Sequence, residues 1–359
     1  MVHVEHKHFR AFAGAKVNLK KAEVDDQRAQ VQRLRGLVEA KVKAEDGHFA
    51  LIKSLHAGSV AKGTALSSVN DRDLAVYVAT DSAPHETGPL VVWLADRVRE
   101  CYPTLASDQI TENQRCVTVV FRSSGLSVDV VPVLYDGAAD DVGVLVDKAT
   151  GLQITTSVTQ HLNFIRSRKA AHPVHLTQMV RLSKWWVRQQ KKADGDFKCK
   201  SFMVELLWAH LADDGVLLSD YPKALEMFFA FITDGGFDKQ IAFADFHPAS
   251  GLPSRGTSPM QVLDPVNFDN NVAGLYLAED RKRLEVAAGD ALDAITTARF
   301  EPVRGAAVSQ WQEVLGPGFR GASEQLQLCG DVHRRARPEA RGASDNRPVP
   351  VLGRVRMAG

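Results

Sequence analysis

The chain of 359 residues has little cysteine and no excess of charge of either sign. Its 4 cysteines, at positions 101, 116, 199 and 329, form no pair with the spacing of a zinc or redox site. Scattered cysteines of this kind are typical of reduced proteins of the cytosol. The formal net charge of +1 argues against a bulk electrostatic attraction to nucleic acid or to a membrane.

Long apolar runs are also missing. The first residues, "MVHVEHKHFR", have mixed charge and no apolar core of a secretory signal, and no segment reaches the length of a membrane span. We therefore expect a cytoplasmic protein without a membrane partner. His3, His6 and His8 lie in this stretch, and we expect a frayed, solvated terminus there rather than a metal site.

Apolar periodicity divides the chain into a mixed part and a helical part. A charged stretch from Leu19 to Ala44 has apolar residues at helical spacing and predicts a long amphipathic helix. The segment "DLAVYVAT" predicts a strand, "PLVVWLADRVREC" a helix, and "CVTVVF" with "LSVDVVPVL" a hairpin about the turn "RSSG". The later patterns are mostly helical. We expect one domain over 1–150, a helical domain over 151–320, and a disordered, arginine-rich tail over 321–359.

A turn of small residues stands out in "HAGSVAKGTALSSVNDRDLAVYV", which covers 56–78. Gly58 allows a close backbone approach, Ser59 offers a hydroxyl and an amide, and Gly63 with Thr64 forms a second turn. Such a turn can bring backbone N–H groups against a phosphate. Gly-Ser turns are common, so the turn alone is a weak signal.

Three aspartates strengthen that signal. Asp71 and Asp73 begin a strand at positions i and i+2, so both carboxylates lie on one face and Arg72 lies on the other. Like charges held this close repel unless a cation shares them, and oxygen ligands suit Mg²⁺ or Mn²⁺. Asp129 interrupts an apolar strand, where a lone carboxylate is costly unless it is paired or binds a metal. The structural alternatives for Asp129 are a solvated edge strand or a buried arginine partner. The turn and the acids together favour a functional site.

The pattern G-S-x-x-x-G-T, then D-x-D, then a strand aspartate resembles the DNA polymerase β-like nucleotidyltransferase superfamily. Within it, the chain is most similar to bacterial CD-NTases and to 2′-5′ oligoadenylate synthases, over roughly 19–300. The resemblance implies an α+β fold, with a polymerase β-like domain of a small mixed sheet and helices, followed by a helical domain. It also implies that Asp71, Asp73 and Asp129 are catalytic and hold two Mg²⁺ (or Mn²⁺) ions.

The helical half contains a candidate nucleotide site in "HLTQMVRLSKWWVRQQKK". Four cations follow one another there at spacings of three, four and three, beside an apolar stripe; they are Arg181, Lys184, Arg188 and Lys191. By itself this stripe is typical of a solvated basic face. Trp185 and Trp186 are interpreted as core residues rather than as stacking platforms.

The resemblance adds roles for individual residues. It implies that Lys184 and Ser201 hold the donor triphosphate and that Phe202 stacks on the donor base. Lys62, inside the small-residue turn, is a further candidate for a phosphate contact. Gly58 and Ser59 complete the predicted nucleotide-binding set.

The activity implied by the resemblance is a nucleotidyltransferase of antiphage signalling of the CBASS type. It would join nucleoside triphosphates, ATP among them, into cyclic di- or trinucleotides and release pyrophosphate. Three alternatives stay open: a linear 2′-5′ oligoadenylate synthase activated by RNA, a terminal transferase on RNA, and a degenerate sensor, which the intact acids disfavour. The expected partners are a regulator from a defence operon, or conjugating enzymes acting on the terminal Gly359. The charge balance does not indicate nucleic acid.

Overall fold

A mixed sheet formed by β-branched runs dominates the first half of the chain. The computed structural model describes residues 3–43, 50–67, 71–80 and 88–320. Within them the strands are β1 (Leu51–Ala57), β2 (Asp71–Ala79), β3 (Ile110–Glu112), β4 (Val117–Phe121), β5 (Leu126–Tyr135), β6 (Gly143–Val146) and β7 (Gln153–Thr156). Their order is β1-β2-β5-β4-β3, with β6 on β5 and β7 on β6. Of these pairs only β2 and β5 run parallel.

Helices flank the sheet and form most of the second half. In the described ranges they are α1 (His6–Phe12), α2 (Lys21–Lys43), α3 (Gly58–Lys62), α4 (Gly88–Cys101), α5 (Val158–Ala171), α6 (His175–Ala193), α7 (Ser201–Asp213), α8 (Tyr221–Thr233), α9 (Ala278–Phe300) and α10 (Arg304–Leu315). A short π-helix, Ala13–Val17, extends α1. No helix in these ranges is long and apolar enough to cross a bilayer.

Apolar side chains form a core beside the sheet and a larger one among the later helices. Leu34 and Val38 of α2 pack with Leu94 of α4 and with sheet residues such as Val76 and Val128. The larger cluster takes in the apolar stripe of α6. Its members Leu176, Met179, Val180 and Val187 are all buried, as their helical spacing predicts.

The prediction of a frayed N-terminus was wrong. Phe9 and Phe12 of α1 are completely buried in the core of the later helices. Their rings contact Trp311 and Phe319, with Phe9 and Trp311 4.6 Å apart between centroids. His8 is buried as well, and its Nδ1 accepts a hydrogen bond of 2.8 Å from the Glu5 amide. The apolar burial of two aromatic side chains outweighs the polarity of the surrounding residues.

Most predicted elements are present with nearly the predicted bounds. The long helix is α2, "PLVVWLADRVREC" is α4, and β4 with β5 forms the hairpin. Strands β1, β3, β6 and β7 were not predicted from the sequence. The described residues up to 320 fall within one compact unit, so the boundary near residue 150 stays a prediction. The predicted tail, 321–359, lies outside the described residues.

Candidate active site

Strands β2 and β5 bring the acids of the sequence motif together. Their parallel register sets Asp73 directly beside Asp129, and Asp71 lies beside Ser127. Asp71 and Asp73 share a face because side chains alternate along a strand. Asp71 is exposed, while Asp73 and Asp129 are half-buried. The three carboxylates therefore lie on one face, at the edge where β2 begins.

The electrostatics of this face favour a bound cation. Burial, with the neighbouring charge of Asp129, raises the pKa of Asp73 from 3.8 to about 6. The pKa of Asp71 is raised for the same two reasons. A cation would remove the repulsion between these carboxylates, and their hard oxygen atoms suit Mg²⁺ or Mn²⁺. Among the described residues, no three acidic, histidine or cysteine side chains form a group that could hold a metal ion by themselves.

The small-residue turn lies directly against Asp73. Strand β1 ends at Ala57, and Gly58 turns the chain into α3 with a φ of +68°. A Cβ atom at position 58 would lie only 1.6 Å from Asp73 Oδ2. The turn ends at Gly63, and the Thr64 amide donates to the carbonyl of the half-buried Ser59 at 2.8 Å. Glycine at position 58 is thus needed both for the backbone conformation and for the close approach to the carboxylate.

Lys184 does not belong to a solvated basic face. It is 6% exposed, and its ammonium group donates to Glu205 Oε1 at 2.6 Å. Two further hydrogen bonds go to Thr64, one to Oγ1 at 3.1 Å and one to the carbonyl at 3.3 Å. These contacts use all three ammonium hydrogens. Lys184 therefore attaches α6 to Thr64, the residue that directly follows the small-residue turn.

Lys62 and Phe202 meet on the other side of Glu205. Lys62 Nζ donates to Glu205 Oε2 at 2.9 Å and lies 4.3 Å from the centre of the Phe202 ring. His161 meets the same ring edge-on at 5.4 Å between centroids. Ser201 is the exposed first residue of α7, one turn before Glu205 on the same face of the helix. Of the predicted nucleotide-binding residues, Lys62 and Lys184 thus meet at Glu205, and Phe202 lies beside Lys62.

Sequence reasoning missed Glu205 and Thr118. Glu205 is the only acid in the apolar stretch "SFMVELLWAHLA", so the argument made for Asp129 would have identified it. The Thr118 hydroxyl donates to Asp129 Oδ1 and accepts a hydrogen bond of 2.7 Å from Asn113. No local pattern identifies Thr118, because its role depends on the register between β4 and β5.

The two tryptophans of α6 are core residues, as predicted. Trp186 is 1% exposed and contacts Phe229, with 4.9 Å between ring centroids. Trp185 packs against the same core, and its indole N–H donates to the Leu315 carbonyl at 2.8 Å.

Comparison with known proteins identifies relatives over most of the chain. A cyclic AMP-AMP-AMP synthase of Escherichia coli (strain MS 115-1) is 43% identical over 319 residues, which are 89% of this chain and 99% of that protein. A CBASS oligonucleotide cyclase CdnC of Escherichia coli (strain KTE188) is 28% identical over 81% of this chain and 90% of that protein. This chain belongs to the bacterial CD-NTase family. No protein-family model matches it.

Solved structures agree with this assignment. CdnC of Escherichia coli MS115-1 with ATP has a TM-score of 0.81 at 43% identity, covering 89% of this chain and all of that chain (100%). Vibrio cholerae DncV with bound GTP has a TM-score of 0.66 at 11% identity, covering 89% and 97%, and shows a shared fold alone. The predicted fold is confirmed, as is the predicted activity class: this CD-NTase is a nucleotidyltransferase that makes cyclic oligonucleotides. The roles of single residues stay predictions.

Proposed function

We propose that this CD-NTase joins three ATP molecules into a cyclic triadenylate and releases pyrophosphate. The observation that carries the proposal is the pairing of Asp73 with Asp129 across β2 and β5, against the turn at Gly58. The choice of ATP and of a trinucleotide rests on the relatives. One relative is named cyclic AMP-AMP-AMP synthase, and the structure of CdnC has been solved with ATP. Each is 43% identical to this chain.

Asp71, Asp73 and Asp129 would hold two Mg²⁺ or Mn²⁺ ions. Bound there, such ions supply charge for the triphosphate and for the departing pyrophosphate, and they lower the pKa of the attacking hydroxyl. The acceptor hydroxyl attacks the α-phosphorus of the donor, and the bond to the bridging oxygen of pyrophosphate breaks. Asp129 lies on the reacting face to take up the proton of that hydroxyl, with one carboxylate oxygen already held by Thr118.

The remaining residues would bind and orient the donor nucleotide. The backbone at Gly58 and Ser59 approaches the phosphates, and the Lys62 ammonium adds positive charge beside them. Lys184 contributes its charge from beneath the turn, while Ser201 offers a hydroxyl at the start of α7. Phe202 would stack against the donor base. Catalysis then depends mainly on positioning and on neutralising charge.

Product analysis tests the proposed reaction. Purified protein is incubated with the four ribonucleoside triphosphates and Mg²⁺, and products are identified by mass spectrometry before and after phosphatase treatment. We expect a phosphatase-resistant product with the mass of three AMP units joined in a ring. Phosphatase-sensitive oligoadenylates would instead indicate the linear synthase, and extension of added RNA a terminal transferase. The proposal would be contradicted if no product formed in this incubation and none were found in nucleotide extracts of cells that express the protein.

We further propose that a regulator with a HORMA domain binds this protein. A CdnC:HORMA complex, with a TM-score of 0.80 and 43% identity, supports this proposal. Size-exclusion chromatography with such a regulator, and product yield in its presence, tests it. The expected action of conjugating enzymes on Gly359 concerns a residue outside the described ranges and stays a prediction. Deletion of the last residues should then spare synthesis and abolish any conjugate in cells. We place the reaction in the cytoplasm, where nucleoside triphosphates are available.

A further inference from the structure

Glu205 is a buried carboxylate to which the predicted reaction assigns no role. It is 2% exposed and lies in the middle of α7, surrounded by apolar residues of the larger core. Its two oxygens nevertheless receive three hydrogen bonds from other elements. Oε2 accepts from Lys62 at 2.9 Å, while Oε1 accepts from Lys184 at 2.6 Å and from Thr64 at 2.5 Å.

The partners of Glu205 lie in the small-residue turn, directly after that turn, or on α6. Lys62 ends α3, Thr64 directly follows the turn, and Lys184 comes from α6. The Glu205 carboxylate on α7 thus connects α6 to the stretch from Lys62 to Thr64, and Lys184 of α6 lies 120 positions after Thr64 in the sequence. A buried ion pair is weak support for stability, because apolar residues of similar size often serve a core as well or better. The ion pairs of Glu205 lie beside the small-residue turn, and we therefore infer that they serve the nucleotide site.

We propose that Glu205 is a positioning residue for the donor triphosphate, holding the Lys62 and Lys184 ammonium groups and Thr64 in the arrangement that receives the phosphates. This inference rests on the proposed function and deepens it. Without Glu205, Lys62 would be a flexible exposed side chain on a short turn, and ordering it would oppose triphosphate binding. With Glu205, the Lys62 side chain is 11% exposed and already fixed above the Phe202 ring.

We expect Glu205 to affect ATP binding through the positions of its partners rather than through its own charge. Burial lowers the pKa of Lys184, and Glu205 is the partner that opposes this shift. A glutamine at position 205 removes one negative charge and, by leaving Lys184 buried without a carboxylate, favours the neutral amine. The net charge of the site then changes by less than the loss of the carboxylate alone would give. A change in ATP binding would therefore report on the position of Lys62 and of the turn.

Steady-state kinetics with Glu205→Gln test the proposal at a temperature well below the melting temperature of each variant. We expect the apparent KM for ATP to rise by about tenfold, because a loss of this size corresponds to one hydrogen bond between charged groups. The turnover number should change much less, because the triphosphate end changes little in charge during transfer. Lys62→Met should raise the KM similarly, and the double variant should add little to either single change.

Asp213→Asn is the matched control. Asp213 ends the same helix, about two turns beyond Glu205, and pairs with the buried Arg168 at 2.6 Å. Neutralising it should lower the melting temperature and leave the KM for ATP unchanged. An unchanged or lowered KM for Glu205→Gln would overturn the proposal and leave Glu205 a structural ion pair.

Thr64→Val provides a second test if Glu205→Gln does not fold. Valine keeps the shape of threonine and removes the hydroxyl that donates to Glu205 and accepts from Lys184. We expect a rise in KM with Thr64→Val and near-normal values with Thr64→Ser; equal values for the two variants would overturn the proposal. Wild-type product formation distinguishes the two claims. If the wild-type protein makes the cyclic product but neither substitution changes the KM, this inference fails and the proposed function stands.

Discussion

At the scale of single residues, position 58 shows why the motif requires glycine. Gly58→Ala places a Cβ atom against Asp73 Oδ2 and keeps a φ of +68°, which costs an alanine about 1–2 kcal/mol. We expect stability to fall by at least that amount and product formation to fall by about a hundredfold, because the Asp73 carboxylate must also move. Activity and urea unfolding measure the two effects.

Gly215→Ala separates these effects. Gly215 also has a positive φ, +84°, but nothing lies within 4 Å of a Cβ atom there. The Gly215→Ala variant should therefore lose the stability that a positive φ costs an alanine and keep the activity of the wild type. If Gly58→Ala is as active as Gly215→Ala, the turn does not position Asp73.

The raised pKa of Asp73 predicts a pH dependence for the metal-free protein. Because the folded-state pKa of about 6 exceeds the usual value of 3.8, ionisation of Asp73 progressively destabilises the fold as the pH rises from 3.8 to about 6, and the effect is complete above that pH. At about 1.4 kcal/mol per pKa unit, the effect is on the order of 3 kcal/mol at neutral pH. We expect Asp73→Asn to melt at a higher temperature than wild type at pH 8 in EDTA. The difference should shrink as the pH falls from 7 to 4; a constant difference would contradict the shift.

Single residues also mark the limit of the sequence argument. The placement of Asp71, Asp73 and Asp129 near one another was predictable, because an i, i+2 pair and a charge in a buried strand have local signatures. The burial of Lys184 could not, since it depends on Glu205 and Thr64, which lie 21 and 120 positions away along the chain.

At the scale of elements, the contact between Lys184 and Glu205 joins α6 to α7 and both to the turn. Lys184→Met should lower the free energy of unfolding by about 3 kcal/mol, since it leaves a buried carboxylate with Lys62 as its remaining cation. Glu205→Gln combined with Lys184→Met should restore part of that loss, because the buried carboxylate that lost a cation is then replaced by a neutral amide. Chemical denaturation of the two variants measures this, and equal losses would contradict a buried pair.

Elements with a strong period were predictable, and short ones were not. The apolar spacing in α2 and α6 gave nearly correct helices. Strand β1, "LIKSLHA", alternates weakly, and β7 has only four residues, so neither shows a clear period of two. Both are determined by pairing with a neighbouring strand, β1 with β2 and β7 with β6.

At the scale of the whole molecule, the N-terminal segment belongs to the core of the later helices. Phe12→Ala should therefore lower the free energy of unfolding by about 3–5 kcal/mol, as expected for a fully buried phenylalanine. Phe300→Ala is the control, because that side chain is 76% exposed. Equal melting temperatures for the two variants would mean that α1 is not packed in solution.

The central claim is that the acids on β2 and β5 are the centre of nucleotidyl transfer, and pyrophosphate release tests it most directly. Rates are measured with ATP and Mg²⁺ for wild type, for Asp71→Asn, Asp73→Asn and Asp129→Asn, and for Asp293→Asn, an exposed aspartate on α9. The account predicts a loss of about a thousandfold or more for each of the first three variants, with melting temperatures that hold or rise, and wild-type rates for Asp293→Asn. Release at the wild-type rate by any one of the three would contradict it.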